Sequence, residues 1–242
     1  MQNRYSGDIG DFSKLGLLRA LIPCGIAIGI NWYLVPDETH NSDGRYVQYL
    51  DKDEFRQCDE ELWKALGQIV HDGKRTVSSL QKECILPAIH YSDVLNFSGK
   101  RKTEREEVRS VWHKQALERL SKAGIICADP DNGLLVPSAE GTVRENKYIL
   151  PEEIKDYYKQ GASVIYYQHK ARKKDRFYAA QHEALMNDPA FKGASGLILK
   201  FRKTSQRYYC FIMQPDHQIS IRQAVSRMLD AAWGDYFELL PE

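Results

Sequence analysis

The 242-residue sequence has no long apolar run, no pairing pattern among its cysteines and no excess of charge of either sign. Each absence speaks against a class of protein. No stretch approaches the roughly 18 consecutive apolar residues of a membrane span, and the opening MQNRYSGDIGDF is polar, without the apolar region of a secretory leader. The expectation is a cytoplasmic protein with no membrane partner. The five cysteines, Cys24, Cys58, Cys84, Cys127 and Cys210, are odd in number, widely spaced and free of any CxxC pair, which suits reduced core thiols better than a disulfide framework or a zinc site. Lys and Arg number 34 against 33 Asp and Glu, a net charge of +1. That is too little for wholesale adsorption to nucleic acid or anionic lipid, although a balanced total permits local patches. Repeats, low-complexity tracts and linkers are missing too. The simplest organisation is one domain over 1–242, with 74–102 read as a candidate insertion.

What is present is an alternation of helix and strand patterns. DFSKLGLLRALIP predicts a helix capped by Asp11 or Ser13, with Leu15, Leu18 and Leu21/Ile22 at helical spacing and Pro23 closing it. IAIGINWYLV (26–35) is a near-continuous apolar run, the pattern of a strand buried on both faces. Helices are predicted over 58–74, in TVSSLQKECILP and over 103–124, the last with Val108, Val111/Trp112, Leu117 and Leu120 inward. Another opens on Pro151, and RFYAAQHEALMND and ISIRQAVSRMLDAAWGDYF are helical in pattern. AIHYSDVLNF, IICAD and ASVIYYQH read as strands, and GLILKFRK with RYYCFIMQ as an antiparallel hairpin. The expected class is α/β, a doubly wound, mostly parallel sheet with a C-terminal antiparallel hairpin, the usual finish of class I methyltransferase folds.

Polar residues gather where these strands end. Thr39, His40, Asp43 and Gly44 follow the 26–35 strand, at the carboxyl edge where open α/β sheets bind ligands, although Asn41 to Gly44 would also make an Asx turn. IICADPDNGL runs directly into Asp129 and Pro130, either a rigid loop able to grip an amino group or a metal ion or a plain turn. In NRYSGDIGDFSK, Asp8, Asp11 and Lys14 enter a helix, where an N-terminus attracts anions and a capping role competes. His169 ends a further strand. Three basic clusters, GKRKTER (99–105), HKARKKDR (169–176) and KFRKTSQR (200–207), carry Lys100, Arg101, Lys102, Arg172, Lys173, Lys174, Arg202 and Lys203. They would form a phosphate track if they converge, and solvated faces otherwise.

With these pieces in place, the sequence resembles the bacterial methyltransferases that modify adenine N6 in large-subunit ribosomal RNA. SGDIGDFSK (6–14) is similar to that family's N-terminal loop at Gly7, Asp11 and Lys14, and THNSDGRY (39–46) to its cofactor loop at Thr39, His40, Gly44, Arg45 and Tyr46. ADPDNGL falls where the family carries its D-P-P-Y motif. The resemblance implies a Rossmann-like class I methyltransferase fold, S-adenosylmethionine as cofactor and an exocyclic adenine nitrogen of nucleic acid, RNA or DNA, as acceptor. It implies Gly7, Asp11, Thr39, His40, Asp43, Gly44 and Arg45 at the cofactor, and Asp129, Pro130, Asp131 and Asn132 with Lys14 at the reaction. Asp131 and Asn132 stand where the family has its second proline and an aromatic residue, which opens two other readings. One is a nuclease or phosphodiesterase on the same scaffold, with Mg²⁺ or Mn²⁺ held among Asp8, Asp11, His40, Asp43, Asp129, Asp131 and His169. The other is a catalytically degenerate module that binds nucleic acid or protein.

Overall fold

Four short apolar runs build the parallel half of a central sheet: β1 (Ile28–Asn31), β2 (Ala88–Tyr91), β3 (Ile125–Ala128) and, beyond the small parallel pair β4 (Gly133–Leu134) and β5 (Tyr148–Ile149), β6 (Ser163–His169). The computed structural model describes residues 1–39, 44–83 and 86–241. Among these, β7 (Ser195–Phe201), β8 (Arg207–Met213) and β9 (Phe237–Leu239) complete a seven-stranded sheet of order β2-β1-β3-β6-β8-β7-β9. β8 lies antiparallel between β6 and β7, and β9 pairs antiparallel with β7. The helices are α1 (Ile9–Leu21), α2 (Asp53–Arg56), α3 (Glu60–His71), α4 (Val77–Lys82), α5 (Lys102–Leu120), α6 (Pro151–Lys159), α7 (Asp175–Met186) and α8 (Gln218–Leu229).

Strand side chains alternate between faces, and two separate cores follow from that. Ile30, Cys127, Ile165 and Tyr209 meet Phe12 and Leu18 of α1, Leu66 of α3, Leu80 of α4 and Val225 of α8. On the opposite face Ile126, Val164, Tyr208 and Cys210 meet Trp112 and Leu120 of α5, Tyr157 of α6 and Tyr178 of α7. The result is a three-layer α/β architecture compatible with a Rossmann-like fold. Cys127 and Cys210 are buried, Cys24 and Cys58 half-buried, and all four are free thiols; Cys84 lies outside the described residues. Among those residues no helix is long and apolar enough to cross a membrane.

Several local expectations are corrected. The cap of α1 is Asp8, whose Oδ1 accepts from the Gly10 and Asp11 amides at 2.7 and 3.1 Å. Asp11, inside the first turn, instead accepts from the Gly7 amide at 2.9 Å. Val111 of α5 is 59% exposed, because the inward stripe is Arg109, Trp112, Ala116 and Leu120. A charged residue thus occupies an inward position, satisfied by a buried carboxylate described below. β1 stops at Asn31, and Tyr33 takes a left-handed φ of 43°. The 74–102 stretch supplies α4 and the edge strand β2, which pairs with β1 from Ile28↔Ala88 to Asn31↔Tyr91. β9 has no counterpart in the sequence reading.

The topology positions the site. From β1 the chain passes to β2 on one flank and then returns to β3 on the other. Strand order reverses there, leaving a crevice outside the carboxyl ends of β1 and β3 where ligands bind in open α/β sheets.

Candidate functional site

A cleft of about 320 Å³ opens at that crevice. Its walls include Met1, Glu38 and Lys147; Asp8, Gly10, Asp11 and Lys14 at the start of α1; Gly44 and Tyr46; Asp129 to Asn132 after β3; and Tyr167, His169 and Arg207 at the ends of β6 and β8. Register explains the last group, since His169 pairs with Arg207 and Arg207 with Phe201. Arg207 and Tyr209 share the strand face that looks onto α1, where the Tyr209 hydroxyl meets Ser13 Oγ at 2.7 Å.

Lys14 stands at the centre. Its Nζ donates to Asp11 Oδ1 at 2.7 Å and to Asp129 Oδ2 at 2.6 Å, and lies 4.6 Å from the centroid of the Trp32 ring. Burial alone would lower its pKa, but the two carboxylates outweigh burial and hold it above the ordinary lysine value. One ammonium is shared by two carboxylates. Asp129 is accordingly raised, burial counting for more than Lys14. Asp8 is raised from 3.8 to about 6, chiefly by burial, with Arg207 acting against the rise and Asp11 adding to it. The second oxygen of Asp129, Oδ1, accepts no hydrogen bond among the described residues.

Main-chain oxygens add to this acceptor set. The amino group of Met1 donates to Tyr33 O at 3.0 Å and Asp129 O at 3.2 Å, and pairs with Asp131 Oδ1 at 2.5 Å. Tyr33 owes its left-handed backbone to two anchors: its amide donates to Asn31 Oδ1 at 3.0 Å and its hydroxyl to Glu153 Oε2 at 3.1 Å. A bulky residue at positive φ is strained, so these anchors hold the carbonyl where it is. The Asp129 to Asn132 loop is braced from β6, Gln168 accepting from the Leu134 amide at 2.9 Å and donating to Asn132 O at 3.1 Å. Gly133 makes room for that amide at a φ of 109°; a Cβ there would lie 2.3 Å from Gln168 Oε1.

Of the residues singled out from the sequence, Lys14, Asp8, Asp11, Gly44, Asp129, Pro130, Asp131, Asn132 and His169 border this one cleft. Gly7 binds Asp11 from behind the first turn, whereas Thr39 and Arg45 do not line the cleft. His40 and Asp43 lie outside the described residues. Among the described residues, Lys14 holds the space between Asp11 and Asp129, and no group of three or more His, Cys, Asp and Glu could hold a metal ion. Arg172, Lys173, Lys174, Arg202 and Lys203 are exposed near the ends of β6 and β7, two clusters joined by the Lys170 amide bonding to Gln206 O at 3.3 Å. Lys100, Arg101 and Lys102 sit apart, at the start of α5. Lys200 is spent on Asp175 and Glu238 at 2.7 and 2.9 Å.

The sequence reading missed Tyr33 and Tyr167, and took in Arg207 only as the last residue of the 200–207 basic cluster. For Arg207 a signal existed, since it is the one charged residue of β8, RYYCFIM, all of it buried. No protein-family model, curated protein or solved structure matches the chain.

Proposed function

We propose that the protein is an S-adenosylmethionine-dependent methyltransferase acting on an exocyclic amine of nucleic acid, adenine N6 by resemblance. One observation carries the reading: Lys14 and Asp129, singled out in two motifs 115 residues apart, meet at 2.6 Å in the crevice of the sheet. The antiparallel β8 inserted between β6 and β7 also agrees with the hairpin finish of class I methyltransferases. A nucleic-acid substrate accords with a cytoplasmic location.

The lining offers a cofactor that carries a sulfonium and an ammonium the carboxylate of Asp8, while Glu38 is paired with Lys147 and Asp131 with the Met1 amino group. When bound, that cofactor would supply an electrophilic methyl group and leave as S-adenosylhomocysteine, the acceptor nitrogen giving up one proton. The chain's own residues position the acceptor. Asp129 Oδ1 takes a hydrogen bond from the acceptor amine, turning its lone pair toward the methyl donor, and Lys14 fixes the carboxylate in place. The carbonyls of Tyr33 and Asp129 are taken by the Met1 amino group at 3.0 and 3.2 Å, which leaves Asp129 Oδ1 as the acceptor toward the cleft. No covalent nucleophile is needed, since alignment supplies most of the rate.

The test is transfer of a labelled methyl group from S-adenosylmethionine to adenine-containing RNA and DNA oligonucleotides. Transfer should fall on the order of 100-fold in Asp129→Asn and Lys14→Met. Absence of transfer to any such acceptor by folded wild-type protein contradicts the proposal.

A further inference from the structure

Arg207 is 5% exposed and lines the cleft, yet among the described residues only its Nε is engaged, donating to Ser205 O at 3.0 Å. No carboxylate pairs with it within 4.0 Å. Its guanidinium lies 5.9 Å from the centroids of both Tyr167 and Phe201, a planar cation between two aromatic rings. The start of α1 makes room for it: a Cβ on Gly10 would stand 2.0 Å from Nη1. A desolvated guanidinium with two idle nitrogens is costly. The cost is recovered when an anion that presents two oxygens to the fork, a carboxylate or a phosphate, takes both donors.

The surroundings indicate which anion. The cleft shares Tyr46, His169 and Ser205 with a second groove of about 430 Å³, lined further by Lys170, Thr204 and Gln206. Arg207 follows these last residues directly, at the junction. Arg172, Lys173 and Lys174 are exposed just beyond Ala171, which also lines the groove, so positive potential continues outward, as a polyanion needs and a single carboxylate does not. We propose that Arg207 receives the phosphate of a nucleotide at the junction of the two grooves, with the nucleoside in the cleft toward Asp129. This rests on the reading of the cleft as a nucleic-acid site, but not on methyl transfer. Asp8, raised to about 6 chiefly by burial beside Arg207, Asp11 and Lys14, can take up a proton as the anion arrives, which removes one repulsive charge.

The experiment is calorimetric titration of the full chain, at fixed ionic strength, with AMP, adenosine and inorganic phosphate. AMP should bind about 10- to 100-fold more tightly than adenosine. Arg207→Gln should abolish that preference without changing the affinity for adenosine, and Arg207→Lys should retain part of it. Equal affinities in the wild type overturn the proposal, as does failure of both AMP and phosphate to bind at about 10 mM; neither result depends on the variants folding. A Gln variant that weakens S-adenosylhomocysteine and leaves AMP unchanged assigns Arg207 to the cofactor's carboxylate, and also overturns it. Binding of S-adenosylhomocysteine without a preference for AMP defeats this inference alone. A preference for AMP without binding of S-adenosylhomocysteine or methyl transfer defeats only the methyltransferase reading.

Discussion

Arg109 and Arg207 are equally buried, each 5% exposed, and they lead opposite lives. Arg109 forks onto Glu153 through Nε–Oε1 and Nη2–Oε2 contacts of 2.8 Å each, and donates again to Glu145 O at 3.0 Å and Tyr148 O at 2.7 Å. Glu153 in turn accepts from the Leu150 amide and the Tyr33 hydroxyl at 2.9 and 3.1 Å. Every charge in that network is answered, and the network ties β5, α5 and α6 to the hydroxyl of Tyr33. Arg207 has one hydrogen bond. A saturated buried charge specifies structure, while an unsaturated one beside a cleft points to a ligand.

The largest effect that would sharpen this contrast is on stability. Glu153→Gln strands Arg109 and should cost about 3–5 kcal/mol in urea unfolding, whereas Arg207→Gln should change stability by no more than about 1 kcal/mol. Similar losses for both would erase the distinction drawn between them.

The two regions should also respond to pH with opposite sign. Burial pushes Glu153 up, but Arg109 outweighs it and holds the carboxyl below its ordinary 4.5, so its contribution is present above that value and is lost as pH falls. Asp8 is raised from 3.8 to about 6. The folded state therefore binds its proton more tightly than the unfolded chain, and stability contributed below about pH 4 is lost as pH rises through about 6. Asp8→Asn keeps a cap of equal quality and should remove that loss, gaining about 1–3 kcal/mol relative to wild type at pH 7. An unfolding series whose wild-type and variant curves stay parallel from pH 4 to 7 would show that Asp8 is not perturbed.

Smaller effects probe the edges of each region. Tyr33→Phe removes one hydrogen bond to Glu153 while Arg109 and the Leu150 amide keep theirs, for about 1 kcal/mol. A loss as large as that of Glu153→Gln would mean that the hydroxyl, rather than the ion pair, holds the strained turn. Lys173→Ala with Lys174→Ala should leave stability within about 0.5 kcal/mol and flatten the salt dependence of nucleic-acid binding by about 1–2 in slope. An unchanged slope would take both residues out of the contact surface.

The sequence made the layers legible because apolar runs such as IICA and SVIYY read as interior strands, and the spacing in α3 matches its buried face. It also pointed to residues that meet at the cleft, since polar turns following buried strands collect at one sheet edge. Three things were hidden for physical reasons. Helix α1 is buried almost all round, so its one-sided leucine pattern understated its place between sheet, α3 and α8. Arg109 could not be read as an inward residue until its carboxylate, 44 positions away, was located. The backbone of Tyr33 turns on contacts to Asn31 and Glu153, which no local pattern reveals. β9 is three residues long with an exposed Leu239, too brief for its alternation to register.

The claim on which the proposed function depends is that the cleft joining α1 to the end of β3 receives S-adenosylmethionine. The direct measurement is calorimetric titration of the wild-type chain with S-adenosylhomocysteine. The account predicts saturable one-to-one binding with a dissociation constant on the order of micromolar. Flat heats at concentrations up to about 1 mM, from protein shown to be folded, would contradict it.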